Sequence, residues 1–249
     1  MLAEVLGLLA VKDSPAPAAP LEIGFVGLPE SDAQIVAERV LEDFDGVRLT
    51  LLAKPGDVRV VLFDEGAGAD ALSDAAARIA SELGEHRYTT TGESLAAEVL
   101  HAARAAGCTL ATAESCTGGL VAAALTDVPG SSDVFRGGVV AYANDAKIAL
   151  LGVSEAALDI HGAVSRECAI EMATGVRAIL CADLAVAVTG IAGPSGGTPD
   201  KPIGLVWFAV ATSNGADAFE RAFPGDRSGV RARATTFALD LLRRAALDR

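Results

Sequence analysis

Ser115 is the residue best suited to nucleophilic chemistry. It sits in Thr112-Ala113-Glu114-Ser115-Cys116-Thr117-Gly118-Gly119, between the apolar run 109–111 and the Ala/Leu-rich segment 120–125. A strand, a polar glycine-containing turn and a helix, in that order, is how α/β enzymes set a nucleophile beside backbone N–H groups. A serine at such a turn is also explained as a helix N-cap. The assignment therefore depends on finding a base.

The chain offers few. His86 and His101 fall in the linking region, and His161 stands before a glycine, as turn histidines commonly do. A Ser-His-acid triad has little support. Lys147 is the stronger candidate, because a lysine that loses its proton in an apolar pocket can act as a general base, whereas arginine cannot. Lysine is scarce here (only Lys12, Lys54, Lys147 and Lys201), and Lys147 follows a predicted strand end, five residues after Tyr142, one of two tyrosines. Tyr142 could relay a proton or hydrogen-bond the serine. The plain alternatives are a solvated lysine and a strand-end aromatic. The segment Thr189-Gly190-Ile191-Ala192-Gly193-Pro194-Ser195-Gly196-Gly197 lets backbone N–H groups approach a ligand closely. Arg227 and Arg231 fall at the start of the last predicted helix, where cations oppose the helix dipole unless an anion is bound. Asp226 is the expected N-cap.

The elements that must position these residues follow from periodicity. Residues 1–20 read as a short helix and a Pro/Ala-rich linker. Residues 21–91 read as a small α+β unit. Strands are predicted over 21–26, 48–53 and 58–63, the last two forming a hairpin through Lys54-Pro55-Gly56-Asp57. One helix is expected after Ser31 as its cap and another over 70–83. Two helices and about three strands resemble a KH-like module, but no G-x-x-G clamp with basic flanks is present, so packing or spacing is the expected role. From residue 92 onward helices and strands alternate, which predicts a layered α/β domain with its functional groups on loops beyond the strand ends.

Composition excludes several classes. The net charge is −13, which argues against nucleic-acid partners. There is no run of about 18 uncharged apolar residues, so no membrane span is expected, and residues 1–11 lack the basic start of a secretory signal. Cys108, Cys116, Cys168 and Cys181 form no C-x-x-C pair and read as free thiols in a reducing cytoplasm, not as a metal site.

Taken together, several segments resemble one family, the C-terminal domain of CinA proteins, or nicotinamide-nucleotide amidases. They are 113–119, Val128-Pro129-Gly130-Ser131-Ser132, 137–147 (including Asn144), Gly162-Ala163-Val164-Ser165, 189–197, Lys201-Pro202-Ile203-Gly204 and Gly225-Asp226-Arg227. Order and spacing fit over about residues 92–247. The resemblance implies hydrolysis of the carboxamide of nicotinamide mononucleotide (NMN) to nicotinate mononucleotide and ammonia, without metal or cofactor. It implies Ser115 as nucleophile, Lys147 as base and Tyr142 as assistant. Thr189, Gly190 and Gly193 would line the nicotinamide-ribose site together with Asn144, Arg227 would hold the phosphate, and N–H groups near Thr117, Gly118 and Gly119 would hold the oxyanion. Residues 21–91 are similar to the KH-like connector of full-length CinA proteins. No counterpart of the large molybdopterin-binding-like domain of those proteins is expected within these residues, so its pyrophosphatase role is not carried over. A homo-oligomer, dimer or higher, is expected. Two other roles stay open: a catalytically idle regulator or scaffold, and an amidase for a different small amide.

Overall fold

The computed structural model describes residues 19–249. The helix and most of the linker expected over 1–20 lie outside the described residues.

The first part of the chain forms β1 (Leu21–Val26), α1 (Glu30–Leu41), β2 (Val47–Lys54), β3 (Asp57–Asp64), α2 (Ala69–Glu82) and β4 (Arg87–Thr89). The strands make one antiparallel sheet in the order β2-β3-β1-β4. The expected hairpin is present, with Lys54 opposite Asp57. Alternation along the strands sends Ile23, Phe25, Val60 and Leu62 to one face, where they pack with Leu72 and Ile79 of α2 and Val40 of α1. Two expectations change. Ser31 is not the cap, since α1 begins at Glu30 with Pro29 before it and no side-chain cap; proline suits a helix start because its missing N–H would be unpaired there. The fourth strand, β4, is too short to show a periodicity. Its Tyr88 ring lies over Gly24, where a Cβ would come within 2.4 Å of it.

The second part runs α3 (Leu95–Ala105), β5 (Leu110–Glu114), α4 (Leu120–Thr126), β6 (Phe135–Val140), α5 (Asn144–Leu151), α6 (Glu155–His161), α7 (Arg166–Ile179), β7 (Leu184–Gly190), β8 (Leu205–Thr212), β9 (Gly215–Ala222) and α8 (Arg227–Leu247). The sheet order is β6-β5-β7-β8-β9, parallel across β6, β5 and β7 and antiparallel beyond. Period-2 alternation separates two cores. Leu184, Val186, Val188, Val206, Phe208 and Val210 face α3, α4 and α8, whereas Ala185, Ala187, Ala209 and Ala211 face α7. Large side chains fill one layer, and the alanine-paved face lets α7 come close. Chain order turns back on itself at β5, with β6 on one side and β7 on the other. The carboxyl ends of strands at such a reversal leave a crevice, and Ser115 follows β5 there. The chain is thus a mixed α/β protein with two sheets, each packed with helices.

Candidate active site

Parallel pairing assembles the site. Glu114 at the end of β5 lies beside Val140 of β6 and Val188 of β7, so the residues that follow these strands, Ser115, Ala141-Tyr142 and Thr189-Gly190, meet at one end of the sheet. Ser115 is 8% exposed, and its N–H donates to Val188 O at 2.9 Å.

Lys147 comes from the first turns of α5, not from a strand end, and helical side chains lean back toward the N-terminus of their helix. That lean brings Nζ to the strand-end carbonyls: it donates to Ala141 O (2.9 Å) and Tyr142 O (3.1 Å) and lies 3.2 Å from Ser115 Oγ. The residue is 1% exposed. Burial lowers the pKa of its amine, against smaller opposing effects of the Cys168 and Cys116 thiols and Tyr142. As an ammonium, Nζ donates to all three oxygens; in the neutral amine the two carbonyls would hold both hydrogens and the lone pair would face the serine hydroxyl. His161 lies elsewhere, at the end of α6, facing Glu167 at 3.6 Å.

The turn after Ser115 is held on both sides. Gly119, with φ +97°, occupies the cap position of α4, and no side chain of its own caps that helix. Ser115 is therefore not the N-cap. That work falls to the carboxylate of Glu114, 1% exposed, which accepts from the N–H groups of Gly119 (2.9 Å), Val121 (3.1 Å) and Ala122 (2.8 Å). From the opposite side, Arg231 donates Nε to Cys116 O (3.1 Å) and Nη2 to Thr117 O (2.8 Å). Gly118 N–H donates to Ser115 O at 3.1 Å. The Gly118 and Gly119 N–H groups are thus already engaged, which corrects their expected part in holding an oxyanion. The side chain of Thr117 is buried, with no hydrogen-bond partner for Oγ1 among the described residues. Burial pushes the Cys116 thiol up to about 12, against a smaller pull from the N–H groups of Cys116 and Thr117.

A cavity of about 200 Å³ opens over Ser115 and Lys147, lined also by Cys116, Tyr142, Asn144, Thr189, Gly190 and Arg227 and by the loop residues Ala163 and Val164. Thr189 Oγ1 donates to Ala163 O at 2.7 Å, tying β7 to that loop. Tyr142 is 60% exposed, and its hydroxyl accepts from Arg227 Nη2 at 3.1 Å; its contact with the dyad is through its backbone carbonyl. Its expected hydrogen bond to the serine is replaced by one to arginine. Arg227 Nη1 also donates to Gly193 O at 2.9 Å, which is where Gly193 joins the site. Asp226 caps α8, as expected, by accepting from Gly229 N–H at 2.8 Å. Among the described residues Arg227 has neutral acceptors and no carboxylate partner. Glu114, Ala163 and Val164 stand within the segments that resemble the family but have no role assigned from sequence; an acidic residue followed by glycines at a helix start is the one signal that could have marked Glu114.

Glu114→Ala should strand three N–H groups, that of Val121 buried and those of Gly119 and Ala122 partly buried. An expected loss of about 2–3 kcal/mol in unfolding free energy follows from the cost of unsatisfied buried donors, measured by urea denaturation.

Comparison with known proteins gives the family. Residues 92–246 match the CinA C-terminal domain. A CinA-like protein of Koribacter versatilis is 42% identical over 228 residues, covering 90% of this chain and 55% of that protein. One of Mycobacterium tuberculosis is 44% identical over 226 residues, 89% and 52% respectively. The chain spans about half the length of these curated relatives. The crystal structure of a competence/damage inducible protein from Agrobacterium tumefaciens superposes with a TM-score of 0.59 at 44% identity, over 62% of this chain and 94% of that one. A match over more than half its length and identities above 40% place the chain in the CinA family.

Proposed function

We propose that the chain is an amidase that hydrolyses the carboxamide of NMN to nicotinate mononucleotide and ammonia through a serine/lysine acyl-enzyme. The observation that carries this reading is the buried Lys147 amine 3.2 Å from Ser115 Oγ, with its other hydrogens held by carbonyls and its pKa lowered by burial. A desolvated lysine beside a serine is the arrangement that makes a hydroxyl nucleophilic without histidine.

In the first stage Ser115 Oγ bonds to the amide carbon as its proton passes to Lys147 Nζ, and the carbonyl π pair becomes an oxyanion. The oxyanion collapses, the C–N bond breaks, and the nitrogen takes the proton from Lys147 and leaves as ammonia. In the second stage water gives a proton to Lys147 and attacks the ester carbon. The C–Oγ bond breaks, Oγ recovers the proton, and the acid is released. A space of about 200 Å³ is smaller than the roughly 300–1,000 Å³ of pockets that enclose drug-sized ligands. It suits the amide-bearing end of the substrate, with the phosphate outside near Arg227.

Ammonia release from NMN by the purified chain is the direct test. Release from another small amide alone would keep the chemistry and replace the substrate; release from neither would leave the regulator or scaffold reading. Arg227→Ala should raise KM for NMN about tenfold or more, the worth of a charge-assisted contact of about 1.5–3 kcal/mol, with a smaller effect on kcat. Wild-type turnover of the dephosphorylated riboside equal to that of NMN would contradict a phosphate role for Arg227.

A further inference from the structure

We propose, on the footing of the amidase reading, that Arg231 is a positioning residue: it fixes the turn after Ser115 so that the N–H groups of Cys116 and Thr117, not those of Gly118 and Gly119, receive the oxyanion. Gly118 N–H is given to Ser115 O and Gly119 N–H to the Glu114 carboxylate. The Cys116 and Thr117 N–H groups donate to no oxygen among the described residues. A trans peptide unit is planar, and its C=O and N–H point opposite ways. Arg231 holds Cys116 O toward α8 at 3.1 Å, so the N–H of Thr117, in the same peptide unit, is turned away from that helix. The Thr117 carbonyl is held in the same way at 2.8 Å, which directs the Gly118 N–H back toward Ser115 O.

The cavity side of the turn agrees with this. Cys116 lines the cavity and Arg231 does not. A donor from the residue that follows the nucleophile is also what a strand-turn-helix site commonly supplies. Arg231 packs directly on the turn, since a Cβ at Gly118 would lie 3.3 Å from its Nη2. The φ of +63° at Gly118 is a conformation that glycine adopts freely. Arg231 follows Arg227 by one turn of α8, so a single helix presents one arginine in front of the site and one behind it.

The test uses the full chain with Arg231→Ala and Arg231→Lys. Loss of a properly aimed oxyanion donor lowers kcat by about 10²–10³-fold. Arg231→Ala is therefore expected to lower kcat for NMN about 100-fold with KM nearly unchanged, and Arg231→Lys, which keeps a donor for one carbonyl, to recover part of it. Inhibition by pyridine-3-carbaldehyde, which adds Ser115 Oγ to form an alkoxide, should weaken in parallel with kcat. Unchanged kcat in a folded variant, or a change confined to KM, would overturn the assignment. Should Arg231→Ala fail to fold, Arg231→Lys carries the same comparison. If wild type releases no ammonia from NMN, the substrate reading fails separately, and the rate of Ser115 labelling by phenylmethylsulfonyl fluoride, followed by mass spectrometry, becomes the measure. Labelling slowed in the variants keeps the inference; equal rates overturn it; a wild type that does not label overturns both readings.

Discussion

Ser115→Ala protein is expected to lose NMN hydrolysis by about 10⁴–10⁶-fold, the range seen when the nucleophile of an acyl-transfer dyad or triad is deleted. The fold should survive. The backbone contact of Ser115 with Val188 O does not involve the side chain, and the turn is held by Glu114 and Arg231. The only hydrogen-bond contact of Oγ among the described residues is with Lys147. An ammonia assay on wild type and variant, with urea midpoints to confirm equal folding, decides the matter. Substantial hydrolysis by folded Ser115→Ala would remove the nucleophile assignment, whatever the substrate proves to be.

The parts of this site that sequence made visible are those built from local pattern. Asp226 before Arg227 reads as a helix cap, and its carboxylate accepts from Gly229 N–H. Elements with weak local patterns were not legible. Gly215–Ala222 is small and charged because an edge strand needs little apolar surface, and Glu155–His161 buries only Ala157. Thr112 to Glu114 reads as part of a polar turn, yet it is buried strand. Polar residues are tolerated there because the Glu114 carboxylate finds three N–H groups at the start of α4. Arg231 reaching Cys116 O and the Tyr142 hydroxyl meeting Arg227 join residues far apart in the chain. No periodicity encodes such contacts; they exist only once parallel pairing has set the strand ends side by side.

Lys147→Met is expected to lower kcat by about 10²–10⁴-fold, the usual worth of a general base, while raising stability. The two effects share one cause. Lys147 is buried beside carbonyls and a hydroxyl, with no carboxylate among its hydrogen-bond partners, and burial lowers its pKa below that of the unfolded chain. Between the folded and unfolded pKa values the unfolded chain binds more protons, so stability increases with pH across that window and is lost as pH falls through the folded value. Methionine, similar in length and apolar, removes that dependence, and the variant should gain most at the acid end. The same pKa governs activity in the same direction. Only the neutral amine can accept the serine proton, so kcat/KM should fall about tenfold per pH unit below the folded Lys147 pKa and level off above it. Lys147→Arg separates charge from basicity. It keeps the cation but cannot serve as the base, so it should be as inactive as Lys147→Met and less stable. A Lys147→Arg protein that retained activity would show that the charge of this residue matters and its proton does not. A pH profile of kcat/KM alongside urea unfolding of the three proteins would then trace catalysis and folding cost to one buried nitrogen, or assign them to different groups.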